Sequence, residues 1–104
     1  MKKELLLQWS PKASKQFLEI SNSIAKKWSL KTAIEFADKV DLAVNALKTM
    51  PEAFPESVKK KVRMCVISRQ TTALYRLKKD TVEILVLFDT RQSLKKLKKE
   101  LKKF

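Results

Sequence analysis

Apolar positions along the chain follow two rhythms, one close to a helical turn in the first half and one close to strand alternation in the second. Leu5, Leu7 and Trp9 alternate with Leu6 and Gln8, which predicts a short first strand ended by Ser10-Pro11. Ser10 suits a helix N-cap and Pro11 the first helical position, where its missing N–H leaves nothing unsatisfied. Phe17, Ile20, Ile24 and Trp28 then form one apolar stripe, with Lys15, Glu19, Asn22 and Lys26 opposite, so a first helix is expected to end near Trp28. After a break at Ser29-Leu30-Lys31, the set Ala33, Phe36, Ala37, Val40, Val44 and Leu47 repeats the period, and Glu35 faces Lys39 one turn on. This predicts a second helix antiparallel to the first, whose small residues allow close approach. Such a hairpin needs another layer to bury its apolar face.

That layer is expected from strands. Met50-Pro51-Glu52-Ala53-Phe54-Pro55 reads as an exit loop, and Lys59-Lys60-Lys61 precede the next apolar segment. Segments 62–68, 72–78 and 82–89 are rich in Val, Ile, Leu, Thr and aromatics, which predicts a three-stranded antiparallel meander. The last of them is apolar on both parities, the mark of a central strand covered on each face. The chain contains no glycine, so looser turns are expected at Arg69-Gln70-Thr71 and Lys79-Asp80-Thr81. Between Ser93 and Phe104, Leu94, Leu97 and Leu101 share one helical stripe among six lysines, compatible with a short terminal helix. The expected class is α+β: one domain over residues 1–104, ordered strand, helix, helix and three strands, with 92–104 as a basic Lys/Leu tail.

Composition narrows the chemistry. A chain of 104 residues, 44% hydrophobic, can bury one two-layer core but hardly a second. No apolar run approaches the roughly 18 residues of a spanning helix, and Leu5-Leu6-Leu7 is too short for a signal-peptide core. A cytoplasmic location is therefore expected. One cysteine and no histidine exclude an internal disulfide, imidazole bases and Ser-His or Cys-His pairs, and no metal or cofactor is expected. Cys65, inside Met64-Cys65-Val66-Ile67, reads as a small buried hydrophobe. The net charge of +13 is unevenly placed, with +3 up to residue 54 and +10 beyond it. Nucleic acid, the ribosome, an anionic membrane or an acidic protein would each complement it, and a solvated basic face is the plainer reading.

The predicted element order carries a set of residues along nearly the whole chain: Trp9-Ser10-Pro11 opening the first helix, Arg63 starting the second strand, Tyr75-Arg76 in the third, and Ile84-Leu85 with Phe88-Asp89-Thr90-Arg91-Gln92 closing the fourth. In that order and spacing the chain resembles the RelE/ParE superfamily of toxins from type II toxin–antitoxin modules. The resemblance implies a toxin neutralised by a cognate antitoxin in a hetero-oligomer. It also implies one of two activities: RelE-like relatives cut mRNA on the ribosome with basic residues plus a Tyr or His, whereas ParE-like relatives poison DNA gyrase.

Metal-free RNA cleavage requires a 2′-OH to be activated, phosphate charge to be stabilised and a leaving oxygen to be protonated, work that Arg and Tyr can share. The ribonuclease candidates are Arg63, Tyr75, Arg76 and Arg91. Each has a plainer reading: a strand-end charge for Arg63, a sheet aromatic for Tyr75, an ion pair for Arg76, and a local bridge to Asp89 for Arg91. Adjacent strand residues also face opposite ways, which separates Tyr75 from Arg76. The end of the chain lacks the Tyr or His found there in RelE-like relatives, and Arg91-Gln92 resembles the ParE side. The resemblance thus favours gyrase binding without bond chemistry. The alternatives are a ribosome-dependent mRNA endoribonuclease and an attenuated member acting only in its antitoxin complex and autoregulation. Candidate target contacts are Lys59, Lys60, Lys61, Arg63, Arg76, Arg91 and Gln92. No membrane partner is expected, because the tail's leucine stripe is short. Partner binding predicts an exposed apolar groove in the free protein.

Overall fold

The computed structural model describes residues 5–57, 61–89 and 94–102. Its elements run β1 (Leu6–Trp9), α1 (Pro11–Lys27), α2 (Leu30–Thr49), β2 (Arg63–Val66), β3 (Thr71–Lys78), β4 (Thr81–Asp89) and α3 (Leu94–Leu101). The strands form one sheet in the order β1-β4-β3-β2. The meander is antiparallel as expected, and β1 adds to β4 in parallel, from Leu6 opposite Thr81 to Trp9 opposite Ile84. Strand β4 is therefore internal.

Ser10 does more than cap α1. Its Oγ accepts the Ala13 N–H at 2.9 Å and donates to the Leu85 carbonyl at 2.7 Å, while its own N–H reaches the Ile84 carbonyl at 2.9 Å. One hydroxyl so fixes both the start of the helix and its position on β4. Just beyond the reach of β1, Gln16 Oε1 accepts the Leu87 N–H at 2.9 Å and closes the open flank of β4. Trp28 is the C-cap of α1, and Ser29 is already the N-cap of α2, accepting the Thr32 N–H at 3.1 Å. The break between the helices is thus two residues, shorter than the sequence suggests, and the helices fold back as a tight hairpin.

The hairpin lies on one face of the sheet, where Phe36, Val40, Val44 and Leu47 of α2 and Ala13 of α1 pack on Ala73, Tyr75, Val82, Ile84 and Leu87. Phe17 links Trp9 and Phe36, with ring centroids 5.9 Å from each. The other face carries Leu74, Leu85, Val86 and Phe88 and is covered by Leu97 and Leu101 of α3. A register shift explains the apolar run of β4: Leu74 pairs with Val86 and Tyr75 with Ile84, which leaves Leu85 as a bulge. Leu85 and Val86 consequently share the α3 face, while Ile84 and Leu87 serve the hairpin face. Both faces are filled, as the sequence predicts for a central strand.

The two turns of the meander differ. Between β2 and β3 the chain takes a longer loop, with Ile67 N–H and Ser68 N–H both on the Thr71 carbonyl. Between β3 and β4 the expectation of a loose turn is wrong: Lys78 pairs with Thr81 across only Lys79 and Asp80. Lys79 supplies the left-handed conformation itself, at φ 55°. A lysine can adopt it at a cost of about 1–2 kcal/mol, which the paired strands on either side outweigh.

Candidate functional site

Arg63 and Tyr75 lie directly opposite one another on β2 and β3, with both side chains toward the helical hairpin. Tyr75 is fully buried, and its hydroxyl donates to the Pro51 carbonyl at 2.6 Å. Arg63 Nη1 donates to the Phe54 carbonyl at 2.5 Å, and the Phe54 ring stands edge-on to Tyr75 at 6.3 Å. The two side chains so pin the proline-containing exit loop from below. Burial pushes the Tyr75 phenol up to about 12, an effect that the Arg63 charge only partly offsets. A phenol that is buried, donating and this weakly acidic is poorly suited to exchange protons with a substrate near neutral pH.

Arg76 sits on the opposite face of the sheet, its Nε 2.6 Å from Oε1 of its cross-strand partner Glu83. Lys61 is exposed, in a left-handed conformation at φ 71°. Lys59, Lys60, Arg91 and Gln92 lie outside the described residues. Of the sequence candidates, then, Arg63 and Tyr75 come together, Arg76 is separated from them by the thickness of the sheet, and no described group stands beside Tyr75 as an accessible proton partner. Cys65 is buried on the hairpin face, and desolvation raises its thiol pKa. Among the described residues, no three His, Cys, Asp or Glu side chains gather to hold a metal ion.

A different feature is open to a partner. Where the hairpin tip overhangs the β2–β3 loop, Ile20, Ile24, Trp28 and Phe36 line a cleft of about 500 Å³ closed by Ser68, Gln70, Thr71 and Asp89. A second lobe of about 270 Å³ continues past Trp28 to Thr32, Glu35 and Lys39. Trp28 is 76% exposed. Periodicity puts it on the core stripe of α1, but it is the C-cap, one residue past the end of the helix. The signal for this lay in the N-cap Ser29 immediately after it, which turns the chain before the indole can be covered.

A family model described as ParE toxin of type II toxin-antitoxin system, parDE, matches residues 7–94. The chain belongs to the ParE toxin family. Among solved structures, this ParE-family chain is similar to one described as the chromosomal ParDE TA system from P. aeruginosa, with a TM-score of 0.73 and 19% identity over 83% of this chain and 96% of that one. It is also similar to a copper-bound mutant toxin from Helicobacter pylori, with a TM-score of 0.54 and 18% identity over 84% and 96%. A conserved hypothetical protein from Helicobacter pylori gives a TM-score of 0.53 and 16% identity over 85% and 97%. At these identities the likeness is one of fold. No match was found among curated proteins. Membership makes the chain the toxin of a type II module and implies an antitoxin partner. Among the described residues, no helix is long and apolar enough to cross a membrane.

Proposed function

We propose that this ParE-family toxin inhibits DNA gyrase in the cytoplasm by binding to it, making and breaking no covalent bond, and that a cognate antitoxin neutralises it. The observation that carries this reading is the dispersal, among the described residues, of the groups a ribonuclease would need. Tyr75 and Arg63 are engaged in holding the exit loop, and Arg76 is tied to Glu83 on the other side of the sheet. Acid–base cleavage of RNA requires such groups around one phosphate. Binding requires only complementary surface.

We assign antitoxin contact to the cleft around Trp28. An exposed indole beside Ile20, Ile24 and Phe36 offers the aromatic anchor that partner helices commonly use. The target contacts are assigned to Lys59, Lys60, Lys61, Arg63, Arg76, Arg91 and Gln92. The test uses purified toxin in two parallel assays. Supercoiling by gyrase should be blocked and then restored by antitoxin, while a defined mRNA on translating ribosomes stays intact by primer extension. Codon-phased cuts with unaffected supercoiling would replace this reading with a RelE-like nuclease, and silence in both assays would point to an attenuated toxin.

A further inference from the structure

The face of the sheet opposite the helical hairpin ends in a ridge of lysines. Helix α3 has the sequence Leu-Lys-Lys-Leu-Lys-Lys-Glu-Leu, and Leu97 and Leu101 are 5% and 2% exposed against the sheet. At 100° per residue, Lys95, Lys96, Lys98, Lys99 and Lys102 fall within an arc of about 160° on the outward side, and all five are exposed. The single acid of the helix, Glu100, lies at the edge of that arc and pairs with Lys12 of α1. Alternation along β3 puts Arg76 and Lys78 on the same side of the sheet as α3.

Such an array is unfavourable in isolation. Lys95 with Lys99 and Lys98 with Lys102 are like-charge neighbours one turn apart, and Lys95 and Lys96 stand at the positive end of the helix dipole. The helix is nevertheless held, because Leu97 and Leu101 close the second core. We propose that the α3 ridge is a binding site for the phosphate backbone of duplex DNA. Three observations select that occupant. The ridge extends about 10 Å along the helix axis, the length over which one DNA strand presents about three phosphates. Among the described residues it carries no aromatic side chain on which single-stranded bases would stack. Leu97 and Leu101 are committed to the core, so among the described side chains of the helix no apolar face is left to enter a lipid surface. The inference goes beyond the proposed target and does not depend on it, since the binding is to DNA alone.

The test is fluorescence anisotropy of the full-length protein with a 20-base-pair duplex, the matching single strand, and vesicles containing anionic lipid, across a salt series. A ridge variant carrying Lys95→Gln, Lys98→Gln, Lys99→Gln and Lys102→Gln is compared with a control of equal charge loss on the hairpin side, Lys15→Gln, Lys26→Gln, Lys27→Gln and Lys31→Gln. Thermal melts of both are recorded, and the ridge variant is expected to melt at or above the wild-type temperature because repulsion within α3 is relieved. The expected result is duplex binding that the ridge variant weakens about 100-fold near 0.1 M salt, with a log–log salt slope shallower by about 3, while the control changes little. Equal weakening in both variants, preference for the single strand or the vesicles, or no duplex binding by the wild type would each overturn the proposal. Gyrase is absent from this assay, so its outcome and that of the supercoiling assay are read separately.

Discussion

Tyr75→Phe tests the division between scaffold and chemistry most directly. The substitution keeps the ring against Phe54 and removes only the hydroxyl that donates to the Pro51 carbonyl. Loss of that bond at a buried position destabilises by about 1–2 kcal/mol, toward the lower end because Pro51 is only half-buried and water can reach its oxygen. For a domain of this size that is a fall of roughly 5–10 °C in melting temperature. The same phenol gives a second readout, because it belongs to the sole tyrosine of the chain and its ultraviolet ionisation reports one site. Its midpoint should lie at about 12 in the folded protein, against 10.0 for an ordinary phenol. Raised in the folded state, this group contributes stability that is complete below pH 10 and is lost as pH climbs toward 12, a loss of roughly 2–3 kcal/mol. The wild-type advantage over Tyr75→Phe should therefore shrink above pH 10 and reverse at about pH 11. An unchanged melting temperature together with ordinary phenol ionisation would refute the buried-anchor argument. Loss of an mRNA-cleaving activity in a well-folded Tyr75→Phe protein would refute the non-catalytic role.

Three further outcomes follow from the same geometry. Ser10→Ala removes a hydroxyl that caps α1 and satisfies the bulged Leu85 carbonyl, so urea denaturation should show a loss of about 2 kcal/mol, at the upper end for a helix cap. Trp28→Ala should leave the urea midpoint nearly unchanged, because the indole is exposed, yet weaken antitoxin binding about 30-fold or more by calorimetry. Lys79→Gly removes the left-handed penalty of the two-residue turn and should stabilise the protein by about 0.5 kcal/mol, after glycine's extra unfolded-state entropy is counted, as read from thermal melts.

The legible part of the fold is what short-range chemistry controls. The helix start at Ser10, the stripe from Ala33 to Leu47, the strand segments and the doubly covered β4 all follow from capping groups and from periods of 3.6 and 2, which act over a few residues. Family resemblance was legible too, because it rests on the order of such segments. The tertiary structure decided what depends on partners distant in sequence: the parallel addition of β1 to β4, the bulge at Leu85, the closing of the second face by Leu97 and Leu101, and the two-residue turn that Lys79 makes without glycine. It also decided the standing of the candidate residues. Tyr75 and Arg63 have the side-chain types of a cleavage site, but a side chain's proton affinity and reach depend on its surroundings. Here both donate instead to backbone carbonyls, Tyr75 to that of Pro51 and Arg63 to that of Phe54. Trp28 went the other way, core-like by its spacing and exposed because the chain turns immediately after it. Pattern determines which face of an element is apolar, and only packing determines what, if anything, covers that face.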